Sequence, residues 1–358
     1  MDNLLFFGEL PPASLHGASI SNATNIEMLK ENFNIIIVIE QSNIKVHGAI
    51  SILKIITFLS DWFNFLKTSI IKKNTIFYGI IYLSTFGILK NILLASTFKL
   101  FNPYSKIILH FHRSDFNHFK KRRINNFLFK FLNLFINRYI VLSNREKVNF
   151  TNNNNIYVLN NTIEKEFNHN ELIKSENEKQ YDLHITYIGN FIIEKGIFEL
   201  VQAIKEINEI YPKIRLELYG EYSSNAIKES LTSLIYNDPN LSIRPVIYGL
   251  DKFNIINNTD LMILPSYNEG LPITLLECLY IGKPIIITKV GYIPDVLGDN
   301  YPLYCTSKSV DSIKSIISKF CEPGIINLNE KILKNIYQNY SHSSHRKQLL
   351  DIFNFTQS

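Results

Sequence analysis

Cysteine, methionine and tryptophan are scarce in this chain, at three, three and one among 358 residues. Cys278, Cys305 and Cys321 are an odd number and lack metal-ligand spacing. That argues against a disulfide framework and points to a reducing compartment. A basic leader is also missing. Residues 1–10 contain Asp2 and Glu9 and have no basic start, so no signal peptide is expected. The uncharged stretch 74–89 is shorter than the about 18 residues a spanning helix needs. It also contains Asn74, Thr75, Ser84 and Thr85. Short tandem repeats and low-complexity tracts are absent. The expectation is a cytoplasmic protein, at most peripheral on the inner face of a membrane.

What is present is a globular composition, 46% hydrophobic, in a chain comfortable for two domains. The net charge of +5 is unevenly spread. Residues 99–147 hold eleven Lys and Arg against only Asp115 and Glu146, a local balance of +9. Such a patch favours an anionic membrane or a polyanion.

Apolar runs alternate with helical patterns along the chain. Strands are expected at 3–7, 35–39, 76–83, 106–112, 139–142 and 156–159. Helices are expected at 21–31, 50–66, 86–98 and 115–137, with Ser143 capping another. The consecutive β-branched residues of 35–39 are the mark of a strand buried on both faces. Residues 168–180 are polar and aperiodic and read as a linker. A second series follows, with strands at 183–189, 214–220 and 245–249 and helices at 197–211 and 225–236. A short helix starts at Asp251, and helices from Val310 and Glu330 come last. This β-α alternation argues for parallel, doubly wound sheets.

The stretch 261–297 reads as strand, loop, helix, strand, loop. Pro272 is expected at the first position of a helix ending at Gly282, with Leu271 before it. Leucine cannot cap with its side chain, which leaves the amides of Ile273, Thr274 and Leu275 for an anion. Glu277 sits among Leu275, Leu276, Cys278 and Leu279, where a carboxylate needs good partners to be buried. The plain alternative is that Glu269 helps cap the helix and Glu277 faces solvent.

The pattern Pro265, Ser266, Glu269, Gly270, Pro272, Leu276, Glu277, Gly282, Pro284, then Gly291, Pro294 and Asp295 resembles the signature of glycosyltransferase family 4. The two glutamates have that family's E-x7-E spacing. Cys278, Tyr292 and Asp295 depart from its usual Ala, Gly and Glu. The segment from Tyr187 to Gly196 resembles the family's E-K-G segment, with Asn190 where an Arg is usual. Residues 107–115 resemble the strand that ends in a sugar-site histidine, and Gly17, after His16, resembles the glycine loop. Asn161 and Ile163 resemble the segment closing the first domain, and Asn161 is read as structural.

The resemblance implies an α/β GT-B fold, two Rossmann-like doubly wound domains facing each other across a cleft. Residues 1–170 would form the acceptor-binding domain and residues 171–340 the sugar-nucleotide domain. Residues 341–358 would form a helix packing back on the first. It further implies a retaining enzyme that moves a sugar from a nucleoside-diphosphate sugar to a hydroxyl. Polyprenyl-diphosphate-linked saccharides, as in O-antigen or capsule building, are the implied acceptors, with no metal cofactor and no nucleic-acid partner.

By the same resemblance Glu269, His112 and Lys195 are the catalytic residues. Gly17, Asn190, Lys195, Gly270, Leu271, Ile273, Thr274 and Glu277 are the donor-binding ones. Lys195 and the helix amides would hold the diphosphate, Glu277 the ribose and Glu269 the transferred sugar. His110 is read as a core histidine; the two histidines have metal-pair spacing, but no carboxylate or Cys cluster supports it. The helix 117–135, with Lys120 to Arg123 at its start and aromatics after, reads either as a membrane-surface helix or as a core stripe with a solvated basic end. Two rivals are a sugar-nucleotide epimerase on the same fold and a non-catalytic sugar-nucleotide-binding subunit.

Overall fold

The structure is a computed structural model that describes residues 2–14, 16–40, 52–71, 75–150, 155–163, 182–210, 214–322 and 330–354. The expected linker at 168–180 lies outside the described residues. The chain divides into two compact units, Met1–Asn161 with Ser343–Ser358, and Thr162–His342.

In the first unit β1 (Asp2–Gly8), β2 (Phe33–Ile39), β3 (Thr75–Ile80), β4 (Ile107–His110), β5 (Arg138–Val141) and β6 (Ile156–Val158) form one sheet. All pairings are parallel, in the order β2-β1-β3-β4-β5-β6. Helix α1 (Gly17–Leu29) leads from β1 to β2 in one direction. The helices α2 (Ile52–Ile71), α3 (Thr85–Phe101), α4 (Phe116–Lys120) and α5 (Arg123–Leu132) carry the chain the opposite way, and a short α6 (Asn144–Lys147) precedes β6. Right-handed crossovers therefore put α1 on one face and α2, α3 and α5 on the other. Alternation along β1 feeds both cores. Leu5 and Phe7 join Phe65, Phe98 and Phe129, while Leu4 and Phe6 join Ile26 and Leu29.

Four local expectations are corrected here. Helix α1 starts four residues earlier than its polar sequence suggested, because His16 caps it. His16 Nδ1 accepts from the Ser19 amide at 3.3 Å, and Ser19 Oγ accepts from the His16 amide at 3.0 Å. That is a reciprocal capping box with histidine in the place usually taken by Ser, Thr, Asp or Asn. The single helix expected over 115–137 is two. The chain is extended at Arg122 (φ −76°, ψ 120°), and the Asn125 side chain donates to the Phe119 carbonyl at 3.1 Å. That carbonyl would have accepted the next intrahelical bond. Strand β2, expected to be covered on both faces, is an edge strand, and its Ile37 and Ile39 are exposed.

The second unit repeats the plan. It contains β7 (Leu183–Ile188), α7 (Ile197–Asn208), β8 (Ile214–Tyr219), α8 (Asn225–Leu234), β9 (Leu241–Arg244), α9 (Gly249–Asn258) and β10 (Leu261–Leu264). Then come α10 (Ile273–Ile281), β11 (Ile285–Thr288), α11 (Ile293–Leu297), β12 (Tyr304–Cys305), α12 (Val310–Phe320) and α13 (Glu330–Asn339). The fourth correction lies here. The strand expected at 245–249 is β9, which stops before Pro245, a residue with no N–H for the ladder. The sheet order is β12-β11-β10-β7-β8-β9, again parallel, and it reverses direction between β7 and β10.

Helix α14 (His342–Phe353) returns to the first unit. Leu349, Ile352 and Phe353 are buried in its second core. His345 contacts Asn25 Oδ1 at 2.6 Å and the Asn160 carbonyl at 2.8 Å. Arg138 donates to the carbonyls of Ile352 and Asn354. No helix among the described residues is long and apolar enough to cross a membrane.

Candidate functional site

In a doubly wound sheet, ligands bind at the carboxyl ends of the strands where the strand order reverses. In the second unit that point lies beyond β7 and β10. The chain leaving β7 makes one 3-10 turn at Ile193–Lys195 and ends it with Gly196 at φ +68°. A Cβ on Gly196 would lie 2.3 Å from the Pro265 carbonyl oxygen. Only glycine allows both that dihedral and that approach. The loop after β10 is then tied on its other side. Thr288 Oγ1 donates to the Ser266 carbonyl at 2.6 Å, and the Tyr292 amide donates to the Gly270 carbonyl at 3.0 Å. Gly291, at φ +56°, repeats the glycine argument: its Cβ would sit 1.9 Å from the Glu269 carbonyl oxygen. Three loops, after β7, β10 and β11, are thus packed backbone to backbone, with Glu269 in the middle one.

This packing brings together two residues far apart in sequence. Lys195 Nζ lies 2.6 Å from Glu269 Oε1, and Ser266 Oγ donates to the same oxygen at 2.7 Å. The lysine is partly exposed and the glutamate nearly buried. Next to them α10 begins with Pro272 as its N-cap, and no side chain caps it. The sequence pattern put Pro272 one position further in, with Leu271 as the cap. The consequence is the same, since neither side chain can accept a hydrogen bond. The Ile273 and Thr274 amides stand in the first turn of that helix, at the positive end of its dipole.

Glu277 does not face solvent. It is fully buried, and its Oε2 lies 2.5 Å from Lys252 Nζ on α9. Its Oε1 has no hydrogen-bond partner among the described residues. Asn190 follows β7, and its carbonyl accepts from the Tyr187 hydroxyl at 3.1 Å. Burial raises the Tyr187 phenol above its ordinary range, and the Glu269 charge adds to this. Leu271 is buried, and the Gly270 backbone is held by Tyr292 as described.

In the first unit His112 lies two residues beyond β4. Its Nε2 is 2.9 Å from Asn22 Oδ1. Asn22 Nδ2 donates to the Glu9 carbonyl at 3.1 Å, which fixes the amide so that its oxygen faces the ring. His112 therefore carries its proton on Nε2, and Nδ1 is left as an acceptor. Burial, with a smaller contribution from His16, pushes its pKa down to about 3. It is a neutral imidazole at physiological pH. His110 is fully buried, with Nδ1 2.8 Å from the Tyr78 hydroxyl and its ring 4.1 Å from that of His112. Gly17 is the first residue of α1, not a loop residue, and a Cβ there would meet nothing within 4 Å. Packing within the unit does not demand that glycine.

Three contributors escaped the sequence pattern. Lys252 carries no local signal that it pairs with Glu277. Ser266 belongs to the motif but reads as turn chemistry. Asn22 did leave a trace: Ser19, Asn22 and Asn25 recur every three residues on α1, and all three are fully buried. That polar stripe faces the sheet and holds His112, Tyr78 and His345. Among the described residues no cluster of three or more His, Cys, Asp or Glu could hold a metal ion.

Comparison with known proteins agrees with this architecture. Residues 168–339 match the family described as glycosyl transferases group 1. The Bacillus subtilis protein TuaC, named for glycosyl transfer in teichuronic acid biosynthesis, is 29% identical over 161 residues, 43% of this chain and 38% of that protein. The Staphylococcus aureus capsular polysaccharide biosynthesis glycosyltransferase CapM is 28% identical over 107 residues, 30% of this chain and 28% of that protein. The chain thus spans well under half the length of these curated relatives. Among solved structures, Anabaena HepE in complex with UDP and glucose aligns over 99% of both chains with a TM-score of 0.71 at 13% identity. That likeness shows the fold, the pair of parallel doubly wound sheets termed GT-B. The family match lies on residues 168–339, most of the second unit, and is what this chain is similar to.

Proposed function

We propose that this chain is a retaining glycosyltransferase that moves a sugar from a nucleoside-diphosphate sugar to a hydroxyl acceptor. The observation that carries the reading is the arrangement beyond β7 and β10. There a lysine, a nearly buried glutamate and an uncapped helix start are held together by backbone packing at Gly196 and Gly291. A diphosphate needs fixed positive charge and amide donors, and Lys195 with the Ile273 and Thr274 amides supplies both. The same groups stabilise the charge that develops on the leaving diphosphate. With Asn190 in place of arginine, Lys195 carries that task with the amides. Glu277 Oε1, which has no hydrogen-bond partner among the described residues, is the acceptor for a ribose hydroxyl. Glu269, already oriented by Ser266 and Lys195, takes the transferred sugar.

Taken by itself, the first unit offers His112, whose Nδ1 can accept from a sugar hydroxyl, and Gly17, which leaves its backbone open to a phosphate. A neutral His112 with a pKa of about 3 cannot serve as a general acid. The acceptor's proton passes instead to a donor phosphate oxygen, and no protein nucleophile is required. UDP is the first nucleotide to try, because HepE was solved with UDP and glucose. The acceptor is a lipid-linked saccharide in surface polysaccharide building, O-antigen or capsule, and the protein works in the cytoplasm. The names of TuaC and CapM support surface polysaccharide building; the lipid-linked acceptor and the cytoplasmic setting belong to the proposal.

Incubation with UDP-, GDP- and dTDP-sugars and a polyprenyl-diphosphate saccharide tests the reading. Transfer with retained anomeric configuration supports it. Epimer formation would assign the chain to an isomerase. Binding without turnover would make it a sugar-nucleotide-binding subunit.

A further inference from the structure

Three helices of the first unit share one face of its sheet, with α3 packed against both α2 and α5. Their inner sides form the aromatic core, and their outer sides carry exposed apolar residues among cations. On α2, Ile56, Leu59 and Phe63 lie outward at helical spacing, and Phe63 is 62% exposed. On α3, Leu89 and Leu100 are exposed. On α5, Ile124, Phe127 and Phe131 are exposed, Phe127 by 66%, and Leu134 is exposed just beyond its end. Scattered apolar residues on a surface are ordinary, but exposed large apolar side chains on three adjacent helices of one layer mark an interaction surface.

The charge on this layer has one sign. Arg123 and Lys130 flank the α5 stripe, Lys121 and Arg122 occupy the break before it, and Lys67 lies on α2; all five are exposed. The three helices contain a single carboxylate, Asp61, and it is buried. A protein partner of ordinary composition would meet an unbalanced charge here. A sheet of anionic headgroups over hydrocarbon matches both the cations and the apolar stripes. The helix break at Arg122 sharpens the match, because it gathers three consecutive cations at one end of the exposed stripe of α5.

We infer that the outer face of α2, α3 and α5 docks on an anionic lipid surface. The inference stands on this surface alone and does not rest on the proposed transfer reaction. The basic aromatic sequence of 117–135 hinted at one helix of this kind; the folded chain adds α2 and α3.

Vesicle flotation of the full chain tests it, with one vesicle set of phosphatidylcholine and phosphatidylglycerol and another of phosphatidylcholine alone. Binding is expected only to the anionic set, weaker at high salt. Each cation at such a surface contributes roughly fivefold in partitioning, so Arg122→Ala, Arg123→Ala and Lys130→Ala together should weaken binding about a hundredfold. Phe63→Ser with Phe127→Ser should also abolish flotation, with circular dichroism unchanged because both sites are exposed. Failure of the unaltered chain to float with anionic vesicles overturns the inference, as does equal binding to neutral vesicles. So does sedimentation showing a dimer that the serine pair splits, which would make this face a protein interface.

Discussion

Lys252→Met probes a contact invisible in the sequence. Glu277 is fully buried on α10, and Lys252 Nζ stands 2.5 Å from it as its ion-pair partner. Lys252 itself is only 7% exposed, so water does not screen the pair. Removing one member of a buried pair leaves an uncompensated charge, which costs about 3–5 kcal/mol. For a domain of the second unit's size each kcal/mol moves the melting temperature by about 2–4 °C, giving a drop of about 6–20 °C. Differential scanning calorimetry of the full chain reads this directly. The double variant Lys252→Met with Glu277→Leu replaces both ions by apolar groups of similar volume and should recover most of the loss. It should then melt like the unaltered chain yet bind donor poorly, because no carboxylate is left for the ribose. A drop below about 2 °C in Lys252→Met, or a double variant no more stable than the single one, would refute the reasoning.

Two further outcomes are expected. His112 has a folded pKa of about 3, below the ordinary histidine value, and His110 is also held well below it by burial. The unfolded chain therefore takes up protons first as the pH falls, so this stability is complete above about pH 6.5 and is lost toward pH 3. At most about 1.4 kcal/mol per pH unit per histidine is at stake, less for His112 because its ring is partly exposed. Melting curves between pH 7 and pH 5 should shift downward, and His112→Gln should flatten the shift; an unchanged slope contradicts the assigned neutral state. Gly291→Ala places a Cβ 1.9 Å from the Glu269 carbonyl at a positive φ. It should cost about 1–3 kcal/mol and weaken donor binding by displacing the loop that carries Glu269; unimpaired donor affinity would mean that the loop position does not matter.

Much of the fold was legible because β-branched runs and helical periods are local signals. The parallel, doubly wound character of both sheets follows from β-α alternation alone. What the sequence hid was set by tertiary contact or by unusual local chemistry. A histidine cap started α1 early, and a side-chain amide broke the helix expected over 115–137. The isoleucine run of β2 looked central but occupies a sheet edge, since composition does not encode strand order. Within the site, the E-x7-E spacing and the E-K-G turn singled out Lys195, Glu269 and Glu277. The pairing of Lys195 with Glu269, the burial of Glu277 against Lys252 and the grip of Asn22 on His112 needed three dimensions. Glu269 was open between a helix cap and a sugar partner. Its side chain bonds Lys195 and Ser266, and no side chain caps α10.

The most direct measurement is calorimetric titration of the full chain with UDP-, GDP- and dTDP-sugars, repeated on Lys195→Met. Lys195 is the cation placed for the diphosphate, and a charge-assisted contact of this kind is worth about 1.5–3 kcal/mol. One donor should bind the unaltered chain, and Lys195→Met should bind it roughly ten- to a hundredfold more weakly. Binding of no donor, or equal affinity in Lys195→Met, would contradict a nucleoside-diphosphate site beyond β7 and β10.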